Sequence, residues 1–172
     1  LIGTSGLSLI VGPPKSRKSQ LSRYLIKCIL DGDDFLDRRT QKGKVVLGLF
    51  EESIPNVRAY LVALQIKNIS NLVVITPDQG KNPLHSLSKY LKENDVDLVV
   101  IDTLQAAARL ENLNDYAKVV PVLNKLNDIA NTTSTHIMLL HHTRKGGDGS
   151  TDSVLGSQGL FASVDTLFII HK

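Results

Sequence analysis

The chain has 172 residues, a net charge of +3 and 42% apolar residues, which suits one domain with a buried core. No apolar run approaches the ~18 residues of a membrane span, and no signal-peptide pattern opens the chain. The basic balance permits a polyanionic partner. Cys28 is the only cysteine and Met138 the only methionine. We therefore expect a cytoplasmic location without disulfides, and a single domain, residues 1–172, taken from a longer protein.

Short apolar runs alternate with amphipathic segments along the chain. Strands are predicted at Leu7–Val11, Val45–Phe50, Leu72–Ile75, Leu98–Ile101, His136–His141 and Val164–Ile170. Helices are predicted at Lys18–Leu30, at Ile54–Gln65, from Asn82-Pro83 onward, and at about Asn114–Asn131. Residues 31–44 and 143–158 are expected to be exposed loops. Continuous apolar strands separated by helices predict an α/β fold, with a mostly parallel, twisted sheet covered on both faces.

The stretch 7–19 reads as a strand, a turn and the start of a helix. It follows the phosphate-loop pattern G-x-x-x-x-G-K-[ST] at Gly12, Lys18 and Ser19, but Arg17 stands where the second glycine belongs. Backbone amides along 13–19 can form an anion nest at the helix N-terminus. Lys18 can reach the β- and γ-phosphates of ATP, and the Ser19 hydroxyl can bind Mg²⁺. The residues assigned to nucleotide binding are Gly12, Pro13, Pro14, Lys15, Ser16, Arg17, Lys18, Ser19 and Gln20.

Two acidic positions follow predicted strands. Asp102 follows four apolar residues, a pattern that carries a carboxylate to the Mg²⁺ ion beside a phosphate loop. Glu51 follows the second strand, where it can orient a water for attack on the γ-phosphate, and Glu52 is the fallback for that general base. Because the carboxyl ends of parallel strands meet at one edge of a sheet, we expect these residues near Gly12.

His141 and His142 end the fifth predicted strand. Neighbouring strand residues point to opposite faces, so one imidazole is expected in the core and the other on the nucleotide side. Adjacent histidines are poor ligands for one zinc ion, and no cysteine or carboxylate cluster follows at ligand spacing. The pair therefore offers one structural histidine and one histidine near the nucleotide.

Taken together, these motifs resemble the RecA-like P-loop ATPase core, most of all the hexameric replicative helicases of the plasmid RepA type and related AAA-domain proteins of phages and plasmids. The stretches that carry the resemblance are Gly12-Pro13-Pro14 with Lys18-Ser19, Leu49-Phe50-Glu51-Glu52 followed by Arg58, Leu98-Val99-Val100-Ile101-Asp102-Thr103-Leu104, Leu139-Leu140-His141-His142-Thr143-Arg144-Lys145-Gly146, and Gly156-Ser157 leading to Val164-Asp165.

The resemblance implies roles for particular residues. It assigns the catalytic glutamate to Glu51, the Mg²⁺-linked aspartate to Asp102, and the γ-phosphate sensor to His142. It implies that the loop 143–158 contacts single-stranded DNA, with Arg144 and Lys145 as its cations. It also implies ATP and Mg²⁺ as cofactors and assembly into a ring.

Other readings remain open at this point. The Arg17 departure favours a nucleotide-binding regulatory module with weak turnover, because a side chain there can clash with phosphates or strain the turn. A small-molecule kinase is disfavoured, since no arginine-rich lid follows the predicted sheet. The alternatives without a binding function are a basic turn before a helix at 12–19 and a mobile surface loop at 143–158.

Overall fold

The computed structural model describes residues 2–76, 83–111, 115–142 and 163–171, apart from the side chain of Tyr116. The strands among them are β1 (Gly6–Gly12), β2 (Val45–Leu49), β3 (Leu72–Ile75), β4 (Leu98–Asp102), β5 (His136–His142) and β6 (Thr166–Ile169). The α-helices among them are α1 (Lys18–Asp31), α2 (Ile54–Ala63), α3 (Pro83–Glu93), α4 (Leu104–Ala108) and α5 (Tyr116–Thr132). A short 3-10 helix, Ile69–Asn71, precedes β3.

The six strands form one sheet in the order β3-β2-β4-β5-β1-β6, and every pairing is parallel. β1 and β5 pair in register from Gly6 and His136 to Gly12 and His142. In the same way β2 and β4 pair up to Leu49 and Asp102. The predicted α/β class with a parallel sheet is confirmed, and the strand ends that carry Gly12, Asp102 and His142 lie along one edge.

The core has two layers, one on each face of the sheet. Along β4, Val99 and Ile101 face the layer that holds α3, α4 and α5, whereas Leu98 and Val100 face the layer that holds α1 and α2. This alternation follows from the two-residue repeat of a strand. Both sets are apolar because both faces are covered, and the sheet becomes a rigid support for the loops at its edge.

The structure differs from the sequence-based prediction in several places. Helix α4 was not predicted, since five residues are too few to show a helical period. Helix α2 ends at Ala63 rather than Gln65, β6 is shorter than predicted, and Pro121 lies inside α5. The expected start of α5 at Asn114 lies outside the described residues, as does the whole of the loop 143–158. No helix of the described chain is long and apolar enough to cross a membrane.

The segment 31–44 is more ordered than a solvated loop. Phe35 is buried and forms an isolated antiparallel bridge with Arg38. Asp31 accepts hydrogen bonds from the backbone amides of Lys67 (3.0 Å) and Asn68 (2.9 Å) and so ties α1 to the chain after α2. Cys28 is fully buried, as expected of a core residue, and burial raises the pKa of its thiol.

Candidate functional site

The loop between β1 and α1 begins at Gly12, where a side chain would not fit. A Cβ atom there would lie 2.8 Å from the Ile170 carbonyl oxygen and 2.9 Å from Ser16 Oγ. Packing within the protein therefore requires a glycine at this position. Pro13 and Pro14 follow, and neither has an amide hydrogen. The anion nest expected along 13–19 is thus restricted to the amides after Pro14.

Two residues of the loop adopt a left-handed backbone conformation. Lys15 has φ 64° and Arg17 has φ 66°, a region that glycine enters without strain and other residues rarely do. Arg17 stands where the phosphate-loop pattern has its second glycine, and its backbone keeps a conformation that favours glycine despite the substitution. Its side chain is exposed. The strain expected at Arg17 therefore lies in its left-handed backbone conformation.

Lys18 is buried at the first position of α1. Its ammonium donates hydrogen bonds to the carbonyl oxygens of Gly12 (2.8 Å) and Pro13 (2.9 Å) and to Ser16 Oγ (3.3 Å). Burial lowers the pKa of Lys18, while the charges of Asp102 and Glu51 raise it. All three ammonium hydrogens are satisfied by the loop, so a phosphate must replace some of these contacts to bind Lys18.

Ser19 and Asp102 meet at the sheet edge. The Ser19 side chain hydrogen-bonds to the Asp102 carboxylate, which opposes the rise in the pKa of Asp102 caused by burial. A hydroxyl and one carboxylate beside a phosphate loop are the ligands with which Mg²⁺ binds in nucleotide sites, the remaining positions being filled by phosphate and water. Mg²⁺ does not need a three-residue protein cluster there, and none occurs among the described residues. The pair therefore fits Mg²⁺.

Glu51 lies beyond β2 and next to β4. Its Oε1 accepts a hydrogen bond from Thr103 Oγ1 (2.5 Å), and its Oε2 lies 3.7 Å from His142 Nε2. Burial and the charge of Lys18 lower the pKa of His142, and the charges of Glu51 and Asp102 oppose this. The sheet thus brings together Glu51, Asp102 and His142, three of the residues predicted for the site.

His141 is half-buried near the end of β5. Burial lowers the pKa of its imidazole to about 4, and the neighbouring charges of His142 and Lys18 act in the same direction. His142, by contrast, is only partly buried, with 42% of its side chain exposed, and it lines the cleft beside the phosphate loop. The predicted division between one core histidine and one site histidine agrees with this arrangement.

The sequence reasoning missed two residues of the site, Thr103 and Arg23. Thr103 is buried and holds Glu51. Arg23 lies on α1, one turn beyond Ser19, and forms an ion pair with Glu52. The sequence could have indicated Arg23, because a residue four positions after the phosphate-loop serine lies on the same face of the helix.

A cleft of about 390 Å³ opens in front of the loop. Its lining consists of Lys15, Ser16, Arg17, Lys18, Ser19, Gln20, Arg23, Glu52 and His142. Residues 15–20 of the predicted set therefore share one cleft, and its many cations attract an anion. Arg144 and Lys145, predicted to contact nucleic acid, lie outside the described residues.

Comparisons with known proteins identify the family and the fold. A family model described as an AAA domain matches residues 1–148, so the chain belongs to the AAA-domain family. Among 461 matching chains of solved structures is the KaiC-like protein PH0186 from the hyperthermophilic archaeon Pyrococcus horikoshii OT3, with 18% sequence identity and a TM-score of 0.59. The alignment covers 80% of this chain and 61% of that one. A search of curated proteins gives no match.

At 18% identity, the structural likeness shows the fold alone. With the family match, it identifies a RecA-like P-loop ATPase core with nucleotide-binding features. Proteins of this class generally bind ATP with Mg²⁺.

Proposed function

We propose that this chain is the motor core of an ATP-dependent DNA helicase or translocase that acts in replication or recombination of a plasmid, phage or bacterial element. The position of Glu51 carries the hydrolytic part of the proposal. Its carboxylate is held by Thr103 and lies near His142, at the sheet edge that also carries Lys18 and Asp102. A carboxylate fixed beside a phosphate site is suited to orient and deprotonate a water.

The proposed reaction is hydrolysis of the γ-phosphate. Lys18 neutralises charge on the β- and γ-phosphates, and Glu51 accepts a proton from the water whose oxygen bonds to the γ-phosphorus. The bond from that phosphorus to the bridging oxygen breaks, leaving ADP and inorganic phosphate. Mg²⁺ held by Ser19 and Asp102 would neutralise developing charge. Glu52 is less suited as the base, because its carboxylate lies on the Arg23 side of the cleft, whereas Thr103 holds the carboxylate of Glu51.

The proposed partners are single-stranded DNA and further copies of this chain in a ring. The net charge of +3 and the cations Arg144 and Lys145 support a polyanionic partner. His142 supports coupling, because it lines the nucleotide cleft at the end of β5, directly before the segment that carries those cations. A residue that contacts phosphate in one state and releases it in another can shift a neighbouring loop.

Turnover measurements test the hydrolytic proposal. Wild-type protein should hydrolyse Mg²⁺-ATP, and single-stranded DNA should raise the rate. Glu51→Gln should bind ATP but lose on the order of 10²–10⁴-fold in turnover, the usual contribution of a general base. Glu52→Gln is the matched control and should keep measurable turnover. An active Glu51→Gln together with an inactive Glu52→Gln would move the base to Glu52.

The second candidate is a nucleotide-binding regulatory module with weak turnover. It is favoured by the left-handed backbone at Arg17 and by the three contacts that Lys18 makes within its own loop. Both features oppose the rearrangement that phosphate binding requires. This candidate predicts ATP binding with weak or no hydrolysis and no response to single-stranded DNA. The turnover assay with and without DNA therefore separates it from the motor.

A further inference from the structure

Arg23 is a buried cation beside the phosphate loop. It lies four residues after Ser19 on α1, so the two share one face of the helix. Long side chains on a helix point back toward its N-terminus. The guanidinium therefore extends toward the turn that carries Ser19, and Arg23 lines the same cleft as Lys18 and Ser19. Only 4% of Arg23 is exposed.

The guanidinium group of Arg23 is only partly hydrogen-bonded. Its Nη2 pairs with Glu52 Oε2, and its Cζ lies 5.1 Å from the centre of the Tyr60 ring. Its Nε is buried and has no hydrogen-bond partner among the described residues. A buried charged donor without an acceptor is unfavourable, and the guanidinium cannot lose its charge. Arg23 therefore has unused capacity to bind an anion.

Glu52 is the more exposed member of the ion pair. Its side chain is 36% exposed, against 5% for Arg23. A carboxylate at that exposure can move into water and be solvated, whereas Arg23 is held by the core. The planar guanidinium also matches the oxygens of a phosphate, which carry more charge than a carboxylate.

We propose that Arg23 is a second cationic ligand of the nucleotide's terminal phosphate, and that Glu52 competes with that phosphate for it. The inference rests on the proposed nucleotide site and deepens it, because it assigns discrimination between ATP and ADP to a residue outside the phosphate-loop pattern. Binding of the triphosphate replaces the Arg23–Glu52 pair with an Arg23–phosphate pair. ADP has no third phosphate and leaves the pair intact.

Two variants that break the same ion pair then have opposite effects. Arg23→Gln removes the phosphate ligand, so the affinity for a non-hydrolysable ATP analogue with Mg²⁺ should fall by about 10- to 100-fold, the range for a charge-assisted hydrogen bond. Glu52→Gln removes the competitor, so the affinity for the analogue should rise. ADP affinity should change little in either variant. Calorimetric titration of both nucleotides measures these effects.

Control variants exclude simpler explanations. Glu51→Gln removes one negative charge from the same strand end without freeing Arg23, so it should tighten analogue binding less than Glu52→Gln does. Lys27→Gln breaks an ion pair one turn further along α1, outside the cleft, and should leave both affinities unchanged. The double variant Arg23→Gln/Glu52→Gln is compared with Arg23→Gln alone. Without Arg23, Glu52→Gln should raise the analogue affinity by no more than Glu51→Gln does.

The inference is overturned if Arg23→Gln and Glu52→Gln shift the analogue affinity in the same direction. It is also overturned if the analogue and ADP affinities change together. Either result is expected if the ion pair has only a structural role. If Arg23→Gln does not fold, Glu52→Gln decides: tighter analogue binding than in Glu51→Gln supports the proposal, and unchanged or weaker binding rejects it. The proposed function has its own test, because Lys18→Ala must weaken binding of both nucleotides whatever Arg23 does.

Discussion

At the scale of single residues, Arg17 shows why the phosphate-loop pattern carries a glycine. Its backbone lies at φ 66°, a conformation that costs a non-glycine residue roughly 1 kcal/mol or more. Arg17→Gly should remove that strain and raise the free energy of unfolding by up to about 1 kcal/mol. It should also tighten Mg²⁺-ATP binding or raise turnover, because the loop then rearranges more easily around phosphate. Calorimetry and steady-state turnover measure the two effects.

Lys15→Gly is the matched control for this substitution. Lys15 has the same strained backbone (φ 64°) but does not occupy the motif's glycine position. Both variants should gain stability, and only Arg17→Gly should improve nucleotide binding or turnover. If Arg17→Gly lowers both affinity and turnover, Arg17 is a ligand for the nucleotide and the steric explanation is wrong.

His141 should make stability depend on pH. Its pKa is about 4 in the folded chain, mainly because of burial, against a reference value of 6.5. Between these values the unfolded chain binds a proton at His141 and the folded chain does not. The free energy of unfolding should therefore fall as pH drops from 6.5 to 4, by at most about 3 kcal/mol from this residue. Denaturant unfolding at several pH values measures the slope.

His141→Gln should flatten this dependence in part. Burial also lowers the pKa of His136, so some slope of the same sign should remain in the variant. His85→Gln is the control, since His85 lies exposed on α3. An unchanged pH slope in His141→Gln, with the control also unchanged, would contradict the buried, neutral state assigned to His141.

At the scale of elements, β5 connects the nucleotide cleft to the segment proposed to contact DNA. His142 at its end lines the cleft, and β5 lies between β4 and β1, the strands that carry Asp102 and Gly12. Arg144 and Lys145 follow directly in the sequence. Cations in such a segment would contact phosphates rather than base edges, and their binding would be independent of DNA sequence.

The double variant Arg144→Ala/Lys145→Ala should weaken binding to single-stranded DNA. Because counterion release contributes about −0.7 to the logarithmic salt slope for each phosphate contact on a single strand, the slope should become about 1.4 shallower. Binding at two or more salt concentrations measures it, and Lys118→Ala/Lys125→Ala on α5 is the charge-matched control. Wild-type affinity with an unchanged slope would exclude the contact.

His142→Ala should lose DNA-stimulated turnover while it keeps ATP affinity.

The elements also show how far the sequence could be used for prediction. The strands and the longer helices were predictable because each face of the sheet is buried and each apolar run is continuous. Lys18 and Ser19 were predictable because the phosphate-loop pattern fixes their spacing, and Asp102 because it ends a continuous apolar strand. Thr103 and Arg23 were not predicted, because Thr103 acts on Glu51 across 52 positions of sequence and a charged residue in a helix is usually exposed. The order of the strands depends on tertiary contacts that periodicity does not encode.

At the scale of the whole molecule, a two-layer core supports one reactive edge. Buried apolar side chains fill both faces of the sheet. Lys18, Glu51, Asp102 and His142 meet at the edge where β1, β2, β4 and β5 end. Ligands of parallel α/β sheets bind at this edge. The central claim is therefore that Lys18, at the start of α1, binds the phosphates of ATP there.

The most direct test is calorimetric titration of Mg²⁺-ATP into wild-type protein and Lys18→Ala, with Lys27→Ala on the same helix as the control. Wild-type protein and Lys27→Ala should bind with equal affinity, and Lys18→Ala should lose measurable binding while its circular dichroism spectrum stays that of a folded protein. Unchanged ATP affinity in a folded Lys18→Ala would contradict the phosphate-loop assignment and the account of the site built on it.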